Sequence, residues 1–116
     1  MADTNVLIHL IGGRAPAAKA RQGLSVHISF ATEIELKSKR NLSSGDMAGI
    51  NELLGNLPIN DINRAIKDMA AQLRREQGLK LADAIIAATA MHLNVPLLTA
   101  DKGSQRIRKL LEVRIP

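Results

Sequence analysis

Residues 79–101 read LKLADAIIAATAMHLNVPLLTAD, a helix pattern that runs directly into a strand pattern. Positions 81–92 are nearly all apolar and small, which predicts a helix lying against a sheet. Asn94 and Pro96 end that helix, and the next residues, 95–99, are predicted to form a strand. A buried helix followed at once by a strand is typical of an α/β fold.

The same alternation extends toward the start of the chain. Residues 24–30 alternate apolar and polar side chains and predict a strand with Phe30 on its apolar face. Thr32 stands three residues before Glu35, which is the spacing of a helix N-cap and its capping-box partner. Further predicted elements are helices over 16–23, 45–54 and 61–77, and an extended piece over 57–59.

A basic helix over 104–111 and an extended stretch over 113–115 are predicted at the end of the chain. Extended pieces that alternate with helices favour a parallel sheet covered on both faces. We therefore expect an α/β fold: a small three-layer sandwich with a central, mainly parallel sheet and helices on both faces. The 116 residues are expected to form a single domain, 1–116.

Composition excludes several classes of function. The chain contains no cysteine, so disulfides, thiolate zinc sites and cysteine nucleophiles are excluded. Phe30 is the single aromatic residue, which argues against modules that stack nucleic-acid bases on aromatic rings. A net charge of +5 favours a polyanionic partner.

The chain carries no sign of a membrane or export signal. Asp3 stands where a signal peptide needs a basic region, and no apolar run approaches the roughly 18 residues of a membrane span. We expect a cytoplasmic protein without a membrane partner.

Acidic residues lie beside the predicted elements where ligands bind in α/β folds. Asp101 follows the strand 95–99, and Glu33 and Glu35 follow the strand 24–30. Asp3 precedes an apolar stretch, and Asp83 lies in the first turn of the helix 81–92. Each acid alone is more typical of a helix terminus, a turn or a solvated face, and spacing alone gives no reason for them to converge.

Four blocks of the sequence resemble those of PIN-domain ribonucleases. They are DTNVLI (3–8), ISFATEIEL (28–36), LKLADAIIAATA (79–90) and PLLTAD (96–101), in the order found in that family. The second block selects Glu35 rather than Glu33 as its acid. The blocks span residues 3–101, and their wording is most similar to that of VapC-type toxins.

The resemblance implies a metal-dependent endoribonuclease that leaves 3′-hydroxyl and 5′-phosphate ends. Acids that face one pocket repel each other unless a cation is present, and oxygen ligands suit Mg²⁺ or Mn²⁺. By motif match, the catalytic and metal-binding residues are Asp3, Glu35, Asp83 and Asp101, supported by Thr4, Asn5 and Thr99.

The resemblance also implies partners: a cognate antitoxin of a type II toxin–antitoxin pair, a second copy of the chain in a homodimer, and RNA, either tRNA or another structured RNA. Basic residues beside the motifs are candidate phosphate contacts, although a basic run is as often a solvated face. These residues are Lys37, Lys39, Arg40, Lys102, Arg106, Arg108 and Lys109.

Two alternatives and one structural question stay open. A PIN-fold module without activity would bind RNA or protein only. A receiver-like phosphoacceptor domain is less favoured, because Asp83 opens a helix rather than ending a strand. Only two residues precede Asp3, so the first strand is either very short or lies mostly after this acid.

Overall fold

The computed structural model describes residues 1–4, 7, 27–99, 107 and 113–114. Its helices are α1 (Phe30–Lys37), α2 (Ser44–Gly55), α3 (Arg64–Gln77) and α4 (Leu81–Leu93). Its strands are β1 (Ile28–Ser29), β2 (Ile59–Asn60), β3 (Leu97–Leu98) and β4 (Val113–Arg114). The predicted helices 16–23 and 104–111 lie outside the described residues.

Parallel pairing organises the strands around the first residues of the chain. Strand β1 pairs with β2, and β3 pairs with β4, both in parallel. Ala2 forms a parallel bridge with Leu98, and its N–H donates to the carbonyl of His27 at 3.0 Å. Residues 1–3 therefore connect the two pairs, in the order β2, β1, residues 1–3, β3 and β4. The prediction of a central parallel sheet is confirmed.

The strand segment formed by residues 1–3 is short and ends at Asp3. The N–H of Asp3 donates to the carbonyl of Leu98 at 3.1 Å, which continues the pairing of Ala2. Thr4 and Leu7 are already helical, and the N–H of Leu7 donates to the carbonyl of Asp3 at 3.0 Å. A helix thus begins directly after Asp3, and this geometry settles the question that the sequence left open.

Helices cover both faces of the sheet, as predicted. Alternate residues of β3 enter separate apolar clusters, since Leu97 packs with the helices α3 and α4 while Leu98 packs with Ala2. Ile28 of β1 belongs to a third cluster, together with Leu36 of α1 and two residues of α2. Helix α4 is the most deeply buried, and four alanines have no exposed surface: Ala84, Ala87, Ala88 and Ala90.

The start of α1 differs from the prediction. Ser29, not Thr32, is its N-cap, and the Ser29 hydroxyl accepts a hydrogen bond from the N–H of Ala31 at 3.0 Å. Phe30 is consequently the first residue of the helix rather than the end of a strand. Both residues are suitable caps by type. Ser29 takes the role because Thr32 is fully buried and its hydroxyl contacts that of Thr4.

Other helix ends follow local capping chemistry. Helix α3 begins at Arg64 rather than at residue 61, because the Asn63 side chain accepts from the N–H of Ile66 at 2.8 Å. It ends as predicted at Gly78, which adopts a left-handed conformation with φ of 66°. Asn94 ends α4 in the same way, also as predicted. None of the helices in the described ranges is long and apolar enough to cross a membrane.

Candidate active site

Asp3 carries a buried carboxylate and ends the strand segment formed by residues 1–3. Because Ala2 pairs with Leu98, the parallel register places Asp3 beside Thr99. The Thr99 hydroxyl donates a hydrogen bond to Oδ2 of Asp3. Asp3 is 6% exposed and Thr99 is fully buried, so this hydrogen bond is shielded from solvent. The side chains fix one orientation of an acid that would be costly to bury without partners.

Thr4 joins the neighbouring acid to this pair. Its hydroxyl donates a hydrogen bond to Oε1 of Glu35 and lies 3.4 Å from the hydroxyl of Thr32. Thr32 and Glu35 are three residues apart on α1 and therefore share a face of this helix. Since Thr4 follows Asp3 directly in the chain, these contacts bring the first and second predicted acids to the same edge of the sheet.

The two acids differ in their exposure. Asp3 is buried, whereas Glu35 is exposed to solvent. A buried carboxylate held by Thr99 is suited to a fixed position, and an exposed one beside it can reach a ligand that enters from solvent. The hydrogen bond from Thr4 restricts the orientations of the Glu35 side chain.

Asp83 lies in the first turn of α4 and is partly buried. The N-cap of this helix, Lys80, makes no side-chain capping bond, so the negative charge of Asp83 compensates the positive end of the helix dipole. Helix α4 packs against α1 and β1, the two elements that lead to Glu35. Sequence and structure thus agree that Asp83 opens a helix rather than ending a strand.

Asp101, the fourth predicted acid, and Asn5 lie outside the described residues. Within the part of the chain that is described, no three side chains of His, Asp or Glu stand close enough to hold a metal ion. Among the described residues, the side chains bonded around Asp3 and Glu35 offer carboxylate and hydroxyl oxygens. This oxygen set fits a hard divalent cation such as Mg²⁺ or Mn²⁺ and does not fit zinc.

A PIN domain family model matches residues 1–110. The chain belongs to the PIN domain family. This family match excludes the receiver-like phosphoacceptor domain, which has a different fold. The residues matched include the strand segment that ends at Asp3, the helices α1 to α4 and β3.

Solved structures show the same PIN fold. A toxin–antitoxin complex from Klebsiella pneumoniae contains a chain 29% identical to this one, with a TM-score of 0.80. The alignment covers 97% of this chain and 93% of that chain. The VapBC-1 structure from nontypeable Haemophilus influenzae is 25% identical, with a TM-score of 0.80 over 99% of this chain and 96% of that chain.

A third structure is similar in fold alone. VapBC2 from Rickettsia felis, bound to a DNA fragment from its promoter, is 18% identical with a TM-score of 0.83. The alignment covers 100% of this chain and 97% of that chain. No curated protein matches the sequence. The resemblance to PIN domains of VapC type that the four sequence blocks carry is thereby confirmed.

The basic residues predicted to contact RNA fall into two groups. Lys37 forms an ion pair with Glu33, with Nζ 3.6 Å from Oε2, at the end of α1. Lys39 and Arg40 follow this helix and are exposed. The second group lies outside the described residues: Lys102, Arg106, Arg108 and Lys109.

Sequence reasoning missed the position of Thr32 in this site. It treated Thr32 as a helix cap, whereas the structure places its hydroxyl 3.4 Å from that of Thr4. The spacing of Thr32 and Glu35 was the available signal, because residues three apart on a helix lie on one face. This spacing is also that of a capping box, and the sequence alone does not separate the two roles.

Proposed function

We propose that this PIN domain is a metal-dependent endoribonuclease, the toxin of a type II toxin–antitoxin pair that acts in the cytoplasm. It hydrolyses RNA phosphodiesters and leaves 3′-hydroxyl and 5′-phosphate ends. The observation that carries the proposal is the buried Asp3 carboxylate, held by Thr99 and adjacent in the chain to the Thr4 hydroxyl that holds Glu35. The family match and the toxin–antitoxin neighbours support it.

The proposed metal ligands are Asp3, Glu35, Asp83 and Asp101, directly or through water. A bound Mg²⁺ or Mn²⁺ would lower the pKa of a water molecule and neutralise charge on the scissile phosphate. The chain's own contribution is to fix the ligands before the cation arrives. Thr99 orients Asp3 and Thr4 orients Glu35, so that fewer side-chain rotamers are lost on binding.

Exposed cations beside Glu35 supply a second part of the proposal. Lys39 and Arg40 follow the helix that carries Glu35 and are free of ion pairs with other described residues. We assign them to the phosphates that flank the cleaved bond, with Lys37 close by. With Phe30 as the one aromatic side chain, RNA recognition would depend on shape and phosphate position rather than on base stacking.

An antitoxin and a second copy of the chain complete the proposed assembly. Two large apolar side chains are exposed near the acids: Ile34, 56% exposed and one residue before Glu35, and Leu81, 58% exposed and two residues before Asp83. We assign these two side chains to contacts with a protein partner. The solved neighbours that contain antitoxins support this part of the proposal.

The experiment is cleavage of a mixture of total RNA and tRNA with Mg²⁺ or Mn²⁺, beside an EDTA control. We expect discrete fragments that a 5′-phosphate-dependent exonuclease degrades. Asp83→Asn should abolish cleavage without loss of the fold, since it removes charge repulsion in the pocket. Asp61→Asn is the matched control, because Asp61 is an exposed acid before α3 and should keep native activity.

The same experiment tests the second candidate, a PIN-fold module that binds RNA or protein without cleaving it. Metal binding in calorimetry together with intact RNA would support the module. Cleavage that persists in EDTA would contradict the metal-dependent mechanism.

A further inference from the structure

Four cations form a stripe along the outer side of α3. We define the α3 stripe as Arg64, Lys67, Arg74 and Arg75. At 3.6 residues per turn, these positions and Ala71 fall within an arc of about 100° around the helix axis. Other positions of this helix are buried in the apolar core: Ile66, Ala70 and Leu73.

No described residue forms an ion pair within 4.0 Å with a cation of the α3 stripe. All four side chains are exposed, and among the described residues the one ion pair within 4.0 Å joins Lys37 to Glu33. Asp68, four residues after Arg64, borders the stripe on the side that also carries Glu76. Glu76 there accepts a hydrogen bond from Gln72 at 3.2 Å. The stripe is therefore a row of exposed cations that faces solvent, with Asp68 at its border.

The end of α3 that carries Arg74 and Arg75 adjoins the start of α4, which carries Asp83. Helices α3 and α4 pack against each other and are joined by residues 78–80. A connection of three residues makes neighbouring helices antiparallel, so the end of α3 lies beside the start of α4. Arg74 and Arg75 are in the last turn of α3, and Asp83 is in the first turn of α4. From Arg64 to Arg75 the stripe extends about 16 Å, at 1.5 Å per residue.

We propose that the α3 stripe binds the phosphate backbone of the RNA substrate on its way to the acidic site. This inference rests on the proposed ribonuclease function and adds a surface that the sequence motifs do not include. A nucleic acid fits better than an acidic protein, because protein interfaces have an apolar, desolvated centre and the stripe offers only Ala71 between its charges. A linear row of cations matches a linear chain of phosphates.

The stripe defines a path along α3 by which the RNA reaches the acidic site. RNA held at Arg64 and Lys67 would pass Arg74 and Arg75 before it reaches the pocket that contains Asp83. RNA long enough to contact both ends of α3 would gain affinity from every cation, whereas a short fragment would contact the pocket alone. The stripe thereby favours long RNA over the short products of cleavage.

The test compares two variants of the full chain. In the first, the stripe loses its charge: Arg64→Gln, Lys67→Gln, Arg74→Gln and Arg75→Gln. In the second, Arg64→Lys, Arg74→Lys and Arg75→Lys keep the charge and change only the side-chain shape. Binding of a fluorescently labelled RNA hairpin is measured by anisotropy over a series of salt concentrations, in EDTA so that the RNA stays intact.

We expect the slope of log Kd against log salt concentration to fall by about three to four in the glutamine variant. Its affinity at about 0.1 M salt should fall at least tenfold. The lysine variant should keep the native slope. Circular dichroism and thermal melting show whether each variant is folded, and the exposed positions of the stripe favour native melting temperatures for both.

Equal slopes for the glutamine variant and the native protein would overturn the proposal. Cleavage is measured separately, in the native protein with Mn²⁺. Absence of cleavage there would contradict the ribonuclease function, while the salt series in EDTA would still decide whether the stripe binds RNA.

Discussion

The hydroxyl of Thr99 donates a hydrogen bond to the carboxylate of Asp3, although the two residues are 96 positions apart in the sequence. Parallel pairing of Ala2 with Leu98 brings them side by side at the ends of adjacent strands. Asp3 and Thr99 are thus direct neighbours, although neither their spacing nor the composition of the chain predicts this contact.

Thr99→Val should weaken metal binding by about 10- to 100-fold, because a partner that orients a metal ligand is lost. Valine keeps the shape of threonine and removes the hydroxyl, so the free energy of unfolding should fall by about 1–3 kcal/mol. Calorimetry with Mn²⁺ and urea unfolding measure the two effects. Thr99→Ser keeps the hydroxyl and should retain most of the metal affinity; equal affinities for the valine and serine variants would contradict the role of this hydrogen bond.

Glu35→Gln should reduce RNA cleavage by at least about 100-fold, as expected for loss of a charged group that positions the reacting centre. Glu33→Gln is the matched control on the same helix. Glu33 contacts Lys37 rather than Thr4, and loss of this exposed ion pair should cost no more than about 0.5 kcal/mol. Initial rates of cleavage in the two variants are compared. Similar losses in both would show that the second sequence block does not single out Glu35.

Ser29→Ala should lower stability by about 1 kcal/mol or more, because it removes the N-cap of α1 and leaves the buried N–H of Ala31 without its acceptor. Cleavage should slow as well, since α1 carries Glu35. Ser43→Ala removes the N-cap of α2 and should cost a similar free energy without affecting cleavage. Thermal melting and cleavage rates are measured together for both variants. Equal loss of activity in the two would mean that general stability, not the position of α1, controls the reaction.

Gly78→Ala and Gly49→Ala should change stability in opposite directions. Gly78 ends α3 with φ of 66°, a conformation in which alanine costs about 1–2 kcal/mol, although its Cβ would meet no atom within 4 Å. Gly49 is inside α2, and its added Cβ also has open space. There alanine should add about 0.5–1 kcal/mol through its higher helix propensity. The midpoints of urea unfolding test both signs at once.

The sequence predicted α4 well because several local signals agree there. The small apolar side chains, Asp83 in the first turn and Asn94 at the end all favour one helix. The end of α3 at Gly78 was also predicted correctly, because few residues other than glycine adopt this left-handed conformation without strain.

The prediction of a helix start was wrong where two residues were suitable as the N-cap and a tertiary contact determined which of them served. Ser29 and Thr32 are both good caps, and the contact of Thr32 with Thr4 left the capping role to Ser29. Each described strand has only two residues, too few for alternation to show its limits. Within the candidate site, the family resemblance predicted the four acids. The hydrogen bond between Thr4 and Glu35 was not predicted, because it depends on where α1 begins. Asp101 and Asn5 remain predictions.

The pairing of residues 1–3 with β3 has a consequence for how the protein is made. During synthesis the first strand emerges long before its partner, and nothing in residues 1–96 supplies the backbone of Leu97 and Leu98 or the hydroxyl of Thr99. Such long-range pairing forms late, because distant parts of the chain must first be brought together. A nascent chain that ends before residue 99 therefore has Asp3 without this partner. Completion of the pocket around Asp3 is therefore coupled to the synthesis of β3 and Thr99.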